Sequence, residues 1–322
     1  MPDAIAHPDL AMGETRIILA DLPAIGTQDP GRAVIVAAVA GTEAGWKRAA
    51  LSHIEGERVA DIGQSRAPAI IGQLLTPLAA HTAQLEDRDN RPIIRLLHAG
   101  MTLPTGTGNM KSFDAPAIWI AGTGGMGDEI IRYAQAEKIG ALEYRLSGLV
   151  RGETGAAAGN SHAVGADIFL IEEASLTVID SVPTPVGASL AIEALGTGDA
   201  SPVGATILIA GNAIVPRSPV HGTCETLPSG DLVIGWKRRD RVNYEWTDAA
   251  DMPNSEGGQE FAAALHYNGG VVANWAVSGS QLSVSAAERA AFGLPGGAAV
   301  GFYIRQQGRF ALSAPLIISA TL

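Results

Sequence analysis

The stretch from Pro216 to Trp246 restricts the possible folds of this chain more than any other. It opens between two prolines, Pro216 and Pro219, turns at Ser229–Asp231, and then alternates strictly. Leu232, Ile234 and Trp236 fall on one side, and Val233, Gly235 and Lys237 on the other. A period of two with one large apolar face marks a strand that covers a core on one side. A tryptophan on that face suits the centre of a sandwich, where one ring fills the space between two sheets. Leu232, Ile234 and Trp236 are therefore expected to be structural core.

The same grammar recurs along the chain. Strands are expected over Thr15–Leu22, Ala33–Ala40, Trp46–His53, Pro92–Leu97 and Ala117–Ala121, and Arg58–Ile62 extends the early meander. Ala67–Ala83 carries Gly72 and Pro77, which break a helix, so it reads as strand plus loop. Ile130–Ala134 and Glu143–Leu149 read as one strand pair, and Ala166–Ile171 with Leu176–Ile179 as another. Phe261–Tyr267 and Val271–Val277 flank Asn268 and Gly269, a strong hairpin signal. Ala299–Arg305 and Phe310–Thr321 close the chain. One short helix is expected over Ser285–Phe292, with Ser285 and Glu288 spaced as a capping box.

Composition agrees with many short strands joined by turns. Of 322 residues, 39 are glycine and 18 proline, and only 5% are aromatic. The expected class is all-β, mainly antiparallel, with little helix. Three modules are expected: an N-terminal β domain over 1–112, a central one over 113–215, and a terminal β-sandwich over 216–322.

Charge and residue usage remove several function classes. A net charge of −11 argues against a nucleic-acid groove. The one basic cluster, Lys237, Arg238, Arg239 and Arg241, is interrupted by Asp240 and reads as a solvated strand end. Cys224 is the only cysteine, so an internal disulfide and a cysteine-rich metal site are excluded. No segment reads as a signal peptide or a membrane span. The seven histidines form no H-x-H, H-x₃-H or H-E-x-x-H pair, so no metal site is assigned. No G-x-S-x-G elbow occurs, and no pair of carboxylates stands out for glycoside hydrolysis. No catalytic residue and no cofactor-binding residue is assigned.

Two features invite sharper readings. Gly122, Gly124 and Gly127 fit G-x-G-x-x-G after an apolar strand, the pattern of a dinucleotide-binding turn. Against it, Asp128 and Glu129 place negative charge where phosphates would lie, and no further βαβ unit follows. A glycine-rich hairpin turn is the expected structure. The second feature is aromatic: Trp46, Trp119, Trp246 and Trp275 lie on or beside strands. Trp246 and Trp275 are the candidates for a surface that stacks on a glycan, with burial in a core or interface as the competing expectation.

Several blocks resemble one family. Glu143–Gly152 (EYRLSGLVRG), preceded by Gly127–Ala134 (GDEIIRYA), is similar to a recurrent block of the baseplate-hub or "megatron" proteins of gene transfer agents and related siphophages. Thr154, Gly155 and His162 are similar to that family's G-T-E and alanine-histidine stretches. Pro219–His221, Asp231–Arg239, Trp246 and Ala286–Gly293 are similar to the sandwich that ends those proteins. Family hubs are far longer, and the stretch at Asp251–Glu256 departs from their pattern. The hydrolase suggestion and pore formation attached to the longer hubs therefore do not carry over.

The resemblance implies a non-catalytic component of a virion tail tip, made in the host cytoplasm and ending in a fibronectin-III-like sandwich. Its implied partners are a hub and a distal tail protein within a threefold assembly, with contact to a host surface glycan as an alternative role.

Overall fold

The computed structural model describes residues 11–23, 31–81, 86–106, 115–122, 127–151, 160–241 and 254–322. The chain is all-β, with one helix among the described residues. Its contacts divide it after Gly211 into two compact units.

The first unit is organised around a hairpin buried on both faces. Strands β1 (Thr15–Leu22) and β2 (Val34–Gly41) pair antiparallel, from Thr15 opposite Gly41 to Leu22 opposite Val34. β11 (Leu176–Val178) adds to β2. Ile18, Ala20, Leu22, Val36, Ala38 and Ala40 point into one core. The alternate residues Ile17, Leu19, Ile35, Ala37 and Val39 point into another. A continuous apolar run such as VIVAAVAG suits a strand with no solvent face. Asp21 is the acid within this buried run, and its carboxylate accepts a 2.6 Å hydrogen bond from the Gly211 N–H.

One face of the hairpin packs against a four-stranded sheet ordered β13-β12-β3-β4. Its strands are Ala49–Glu55 (β3), Arg58–Gln64 (β4), Ser189–Gly196 (β12) and Val203–Leu208 (β13). Trp46 fills this core, and its indole N–H donates to Thr15 Oγ1 at 2.8 Å. Gly41 and Gly196 make room for the ring. A Cβ on Gly41 would lie 2.3 Å from Trp46 Cβ, and one on Gly196 would lie 2.5 Å from Trp46 Nε1.

The other face shares a core with a closed six-stranded antiparallel barrel, ordered β10-β5-β6-β9-β8-β7. Its strands are Ile71–Leu74 (β5), Ile93–Leu96 (β6), Ala117–Ile120 (β7), Glu129–Lys138 (β8), Glu143–Val150 (β9) and Asp167–Leu170 (β10). Trp119 stacks on Phe169 across the β7–β10 pair, with ring centroids 5.0 Å apart. A Cβ on Gly72 would lie 2.4 Å from the Arg95 carbonyl oxygen, so β5 and β6 approach closely only because position 72 is glycine.

Three expectations are corrected here. Residue 112 is not a domain boundary, because the barrel takes β5 and β6 from before it and β7–β10 from after it. Ala166–Ile171 and Leu176–Ile179 do not pair with each other: β10 closes the barrel, whereas β11 joins β2. The early meander also splits, since β3 pairs with β12 rather than β2. Periodicity identifies each strand but does not choose its partner.

The second unit is a seven-stranded sandwich. β14 (Val220–Thr226), β15 (Leu232–Lys237) and β18 (Gln281–Val284) form one sheet, ordered β14-β15-β18. β16 (Glu260–Tyr267), β17 (Gly270–Ser278), β19 (Ala299–Gln306) and β20 (Leu316–Thr321) form the other, ordered β17-β16-β19-β20. This three-plus-four order is the connectivity of a fibronectin-III-like sandwich. β16 and β17 meet at a two-residue turn, with Asn268 at φ 46° and Gly269 at φ 79°. That double left-handed geometry is what Asn-Gly supplies. Helix α1 (Ala286–Ala291) follows β18 and has both arms of the capping box formed by Ser285 and Glu288.

Leu232, Ile234 and Trp236 are all buried in the sandwich core. The Trp236 ring meets Phe261 of the opposite sheet edge-on, with centroids 5.3 Å apart. Truncation leaves a ring-sized cavity between the sheets. Trp236→Ala is expected to cost about 3–5 kcal/mol, read as an early unfolding transition of the sandwich in chemical denaturation. An unchanged transition would contradict the register of β15.

Candidate functional site

The chemically densest place in the described structure is a buried charged network at one end of the barrel. Glu129 begins β8, and Arg151 directly follows β9. His162 precedes β10 and forms an isolated antiparallel bridge with Leu78, through hydrogen bonds of 2.8 and 2.9 Å. Arg151 and Glu129 pair side by side: Nε donates to Glu129 Oε1 at 2.9 Å and Nη2 to Oε2 at 2.7 Å. The remaining guanidinium N–H groups serve the Ala79 and Asn160 carbonyls, and Nη1 lies 3.5 Å from Asp87 Oδ2. The His162 ring lies between two acceptors, with Nε2 2.9 Å from Glu129 Oε2 and Nδ1 3.1 Å from the Ala121 carbonyl oxygen.

The local backbone supports the ends of this network. Asp87 is fully buried, and its Oδ1 accepts from the Asn90 N–H at 3.0 Å while its Oδ2 accepts from the Asn90 amide at 2.7 Å. Asp87 is bridged to Leu149 by a pair of backbone hydrogen bonds. His81 Nε2 lies 3.9 Å from Asp87 Oδ1. Asp128 accepts from the Gly122 N–H at 2.8 Å. Asn160 donates to the Gly127 carbonyl at 3.1 Å.

The carboxyls respond differently to burial. Burial alone would raise Glu129, but hydrogen bonds from His162 and Arg151 and their charges outweigh it and hold the group below its usual range. Asp87 is also lowered: burial opposes, and the Asn90 hydrogen bonds, His81 and Arg151 prevail. Asp128 goes the other way, because burial exceeds the help it receives from Gly122 and His162.

Four of the five Arg151 N–H groups are hydrogen-bonded, Nη1 also faces Asp87 at 3.5 Å, and Glu129 is shared between two partners. This geometry binds the ends of β7, β8, β9 and β10 and the chain after β5, and its chemistry is that of a structural clasp. Sequence reading noted Glu129 only as negative charge after the glycine-rich turn and His162 only in a family stretch, without connecting them. The signal lies in the three resembling blocks: G-D-E, L-V-R-G and A-H-type stretches each contribute one clasp residue.

Other sequence-marked residues fall elsewhere. Gly122 and Gly127 flank a hairpin connection between antiparallel β7 and β8, and Gly124 lies outside the described residues. The segment after Gly127 is a strand, so the helix N-terminus required by the dinucleotide reading does not exist there. Among the described residues no group of three or more His, Cys, Asp or Glu is placed to hold a metal ion, and no helix is long and apolar enough to cross a membrane.

Trp46 and Trp119 are core residues. Trp246 lies outside the described residues. Trp275 is half-buried, edge-on to Phe292 at 6.0 Å and near Phe302 at 6.4 Å. The rings on the outer face of its sheet are instead His266 and Tyr303, 4.0 Å apart.

The supposed solvated strand end after β15 is corrected. Asp240 and Arg241 are buried, and Arg241 Nε donates to buried Glu256 at 2.6 Å while Nη1 donates to the Ala213 carbonyl at 2.7 Å. Asp240 accepts from the Ser255 N–H and hydroxyl at 2.7 and 2.9 Å. Burial pushes the Glu256 carboxyl up despite Arg241.

The fold and this network define a β protein made of a closed barrel, an adjoining pair of sheets and a terminal sandwich. Residues 69–169 match the family model described as Rcc01698-like, C-terminal. The match begins just before β5 and ends within β10, so it coincides with the barrel and contains the whole clasp. No curated protein sequence matches the chain. Two solved structures similar to the chain are both from chicken. A two-fibronectin-type-III segment of tenascin is 10% identical, with 78% of this chain and 99% of that chain covered and a TM-score of 0.25. The CNTN1 FN1–FN3 domains are 9% identical, with 96% and 98% covered and a TM-score of 0.24.

Removing one partner of a buried pair strands the other. Arg151→Ala is expected to cost about 3–5 kcal/mol of barrel stability, measured by denaturant unfolding. The lowered Glu129 carboxyl adds a pH signature. Its contribution is full above the unfolded carboxyl value and is lost as pH falls through the lower folded value. The stability gap between the native protein and Glu129→Gln should therefore narrow on acidification below about pH 4.5; a gap independent of pH would contradict the assignment.

Proposed function

We propose that this chain is a non-catalytic structural component of a phage-like tail tip or baseplate, docking on the hub and the distal tail protein. The observation that carries this reading is the position of the family match. Rcc01698 is a gene transfer agent-associated protein, and the matched segment is the barrel that contains the EYRLSGLVRG block. The Gly127–Gly152 part of the resemblance and the family match thus fall on the same module, whereas the resembling blocks of the terminal sandwich lie outside the match.

The chemistry of the clasp supports a structural role. Its charged groups are buried and mutually satisfied, whereas a general acid or base must reach the substrate proton it transfers. The terminal sandwich adds a compact module of a kind widely used for adhesion and spacing. An excess of acidic residues keeps such a component soluble before assembly.

The test is to follow a C-terminally tagged copy through density-gradient purification of particles from a producing host, with gold labelling of the tag. The expected result is co-migration with complete tails and label at the distal end. Recovery only in the particle-free fractions, or label distributed along the tail, would overturn the reading.

A further inference from the structure

The ring of His162 is placed between two groups that can only accept hydrogen bonds. Its side chain is buried, and its own backbone N–H and C=O are both held by Leu78. Nδ1 faces the Ala121 carbonyl oxygen at 3.1 Å, and a carbonyl has no proton to offer. Nε2 faces Glu129 Oε2 at 2.9 Å. That carboxyl receives an Arg151 N–H on each of its oxygens, which fixes it as the carboxylate. A neutral imidazole carries one N–H and one lone pair, so it satisfies one of these acceptors and opposes the other. The imidazolium satisfies both.

The charges around the ring agree with this. Glu129 opens β8, and Asp128 just before it also acts on His162 electrostatically. Arg151 reaches the same Glu129 oxygen from the end of β9. Beyond Arg151 lie Asp87, 3.5 Å from Nη1, and His81, 3.9 Å from Asp87. With a neutral His162, Arg151 would be the one permanent cation among the described residues beside three carboxyls in a buried site. A protonated ring supplies a second positive charge where water cannot.

We propose that His162 is a proton-operated latch: as the imidazolium it closes the end of the barrel, and loss of its proton to solvent at alkaline pH releases the Ala121–Gly122 peptide. That peptide is held from both sides, its carbonyl by His162 and its N–H by Asp128 at 2.8 Å. It begins the connection from β7 to β8. The negative Glu129 retains the Nε2 proton, so deprotonation empties Nδ1 and turns its lone pair against the Ala121 oxygen. The sign of the pH effect follows. A histidine in the unfolded chain is neutral above about pH 6.5. Unfolding there releases the proton, so this part of the stability falls as pH rises, until the folded ring has also lost it. The latch does not depend on the tail-tip reading.

The direct test is heteronuclear NMR of the histidine ring nitrogens in the full chain at about pH 7.5, a full unit above the ordinary histidine value. The His162 ring, assigned by its proximity to Ala121, is expected to show two protonated nitrogens. One protonated and one unprotonated nitrogen would overturn the proposal. Over a rising pH series, the protection factor of the Gly122 amide should drop in step with loss of the ring proton. Unchanged protection through that step would overturn the release of the peptide. Denaturant unfolding of the native protein and His162→Gln gives a thermodynamic reading. The native advantage, as a ratio of unfolding constants, should shrink about tenfold per pH unit above about pH 6.5 while the folded ring keeps its proton. A ratio independent of pH would overturn the latch. If His162→Gln does not fold, the ring nitrogens of the native protein decide the matter.

Discussion

The barrel depends on one buried ion pair, Arg151 with Glu129. Taking a guanidinium and a carboxylate out of water costs several kcal/mol per ion, and close pairing with further hydrogen bonds is needed to offset it. Four of the five guanidinium N–H groups are hydrogen-bonded here, to Glu129 and two carbonyls, Nη1 also faces Asp87 at 3.5 Å, and Glu129 also meets His162. The partners come from separate connections of the barrel. The pair is therefore satisfied only when the ends of β8, β9 and β10 have come together, which ties the electrostatics of one residue to closure of the whole sheet.

The β1–β2 hairpin links this barrel to the rest of its unit. Apart from the exposed Arg16 and the hydrogen-bonded Asp21, the central residues of β1 and β2 alternate between two cores, so a single slip of register would exchange both sets at once. Its faces are built from small and branched apolar residues, alanine beside isoleucine, leucine and valine. The larger volumes come from the layers on either side: Trp46 in one core, and Trp119 with Phe169 and Tyr133 in the other.

Sequence made much of this legible, for identifiable reasons. The alternation of Leu232, Ile234 and Trp236 is a local pattern, and so are the Asn268–Gly269 turn and the Ser285 capping box. Each depends on residues within a few positions of one another. Strand partners were less legible. β11 reads like the second arm of a hairpin with β10, but its place beside β2 follows from burial of a surface set far earlier in the chain. The clasp was least legible, because Glu129 lies 22 residues from Arg151 and 33 from His162. Arg241 failed for a related reason: in sequence it belongs to a basic run, yet its partner Glu256 lies 15 residues further on, and neighbouring charges gave no sign of burial.

The resembling blocks carry Glu129, Arg151 and His162, the residues that meet at the end of the barrel. The most direct test is a double-mutant cycle on the barrel, with Glu129→Gln, Arg151→Met and the pair measured by denaturant unfolding. If the two residues form the clasp, the double variant will be more stable than the sum of the single losses predicts, by about 1–3 kcal/mol. Additivity within about 0.5 kcal/mol would contradict it.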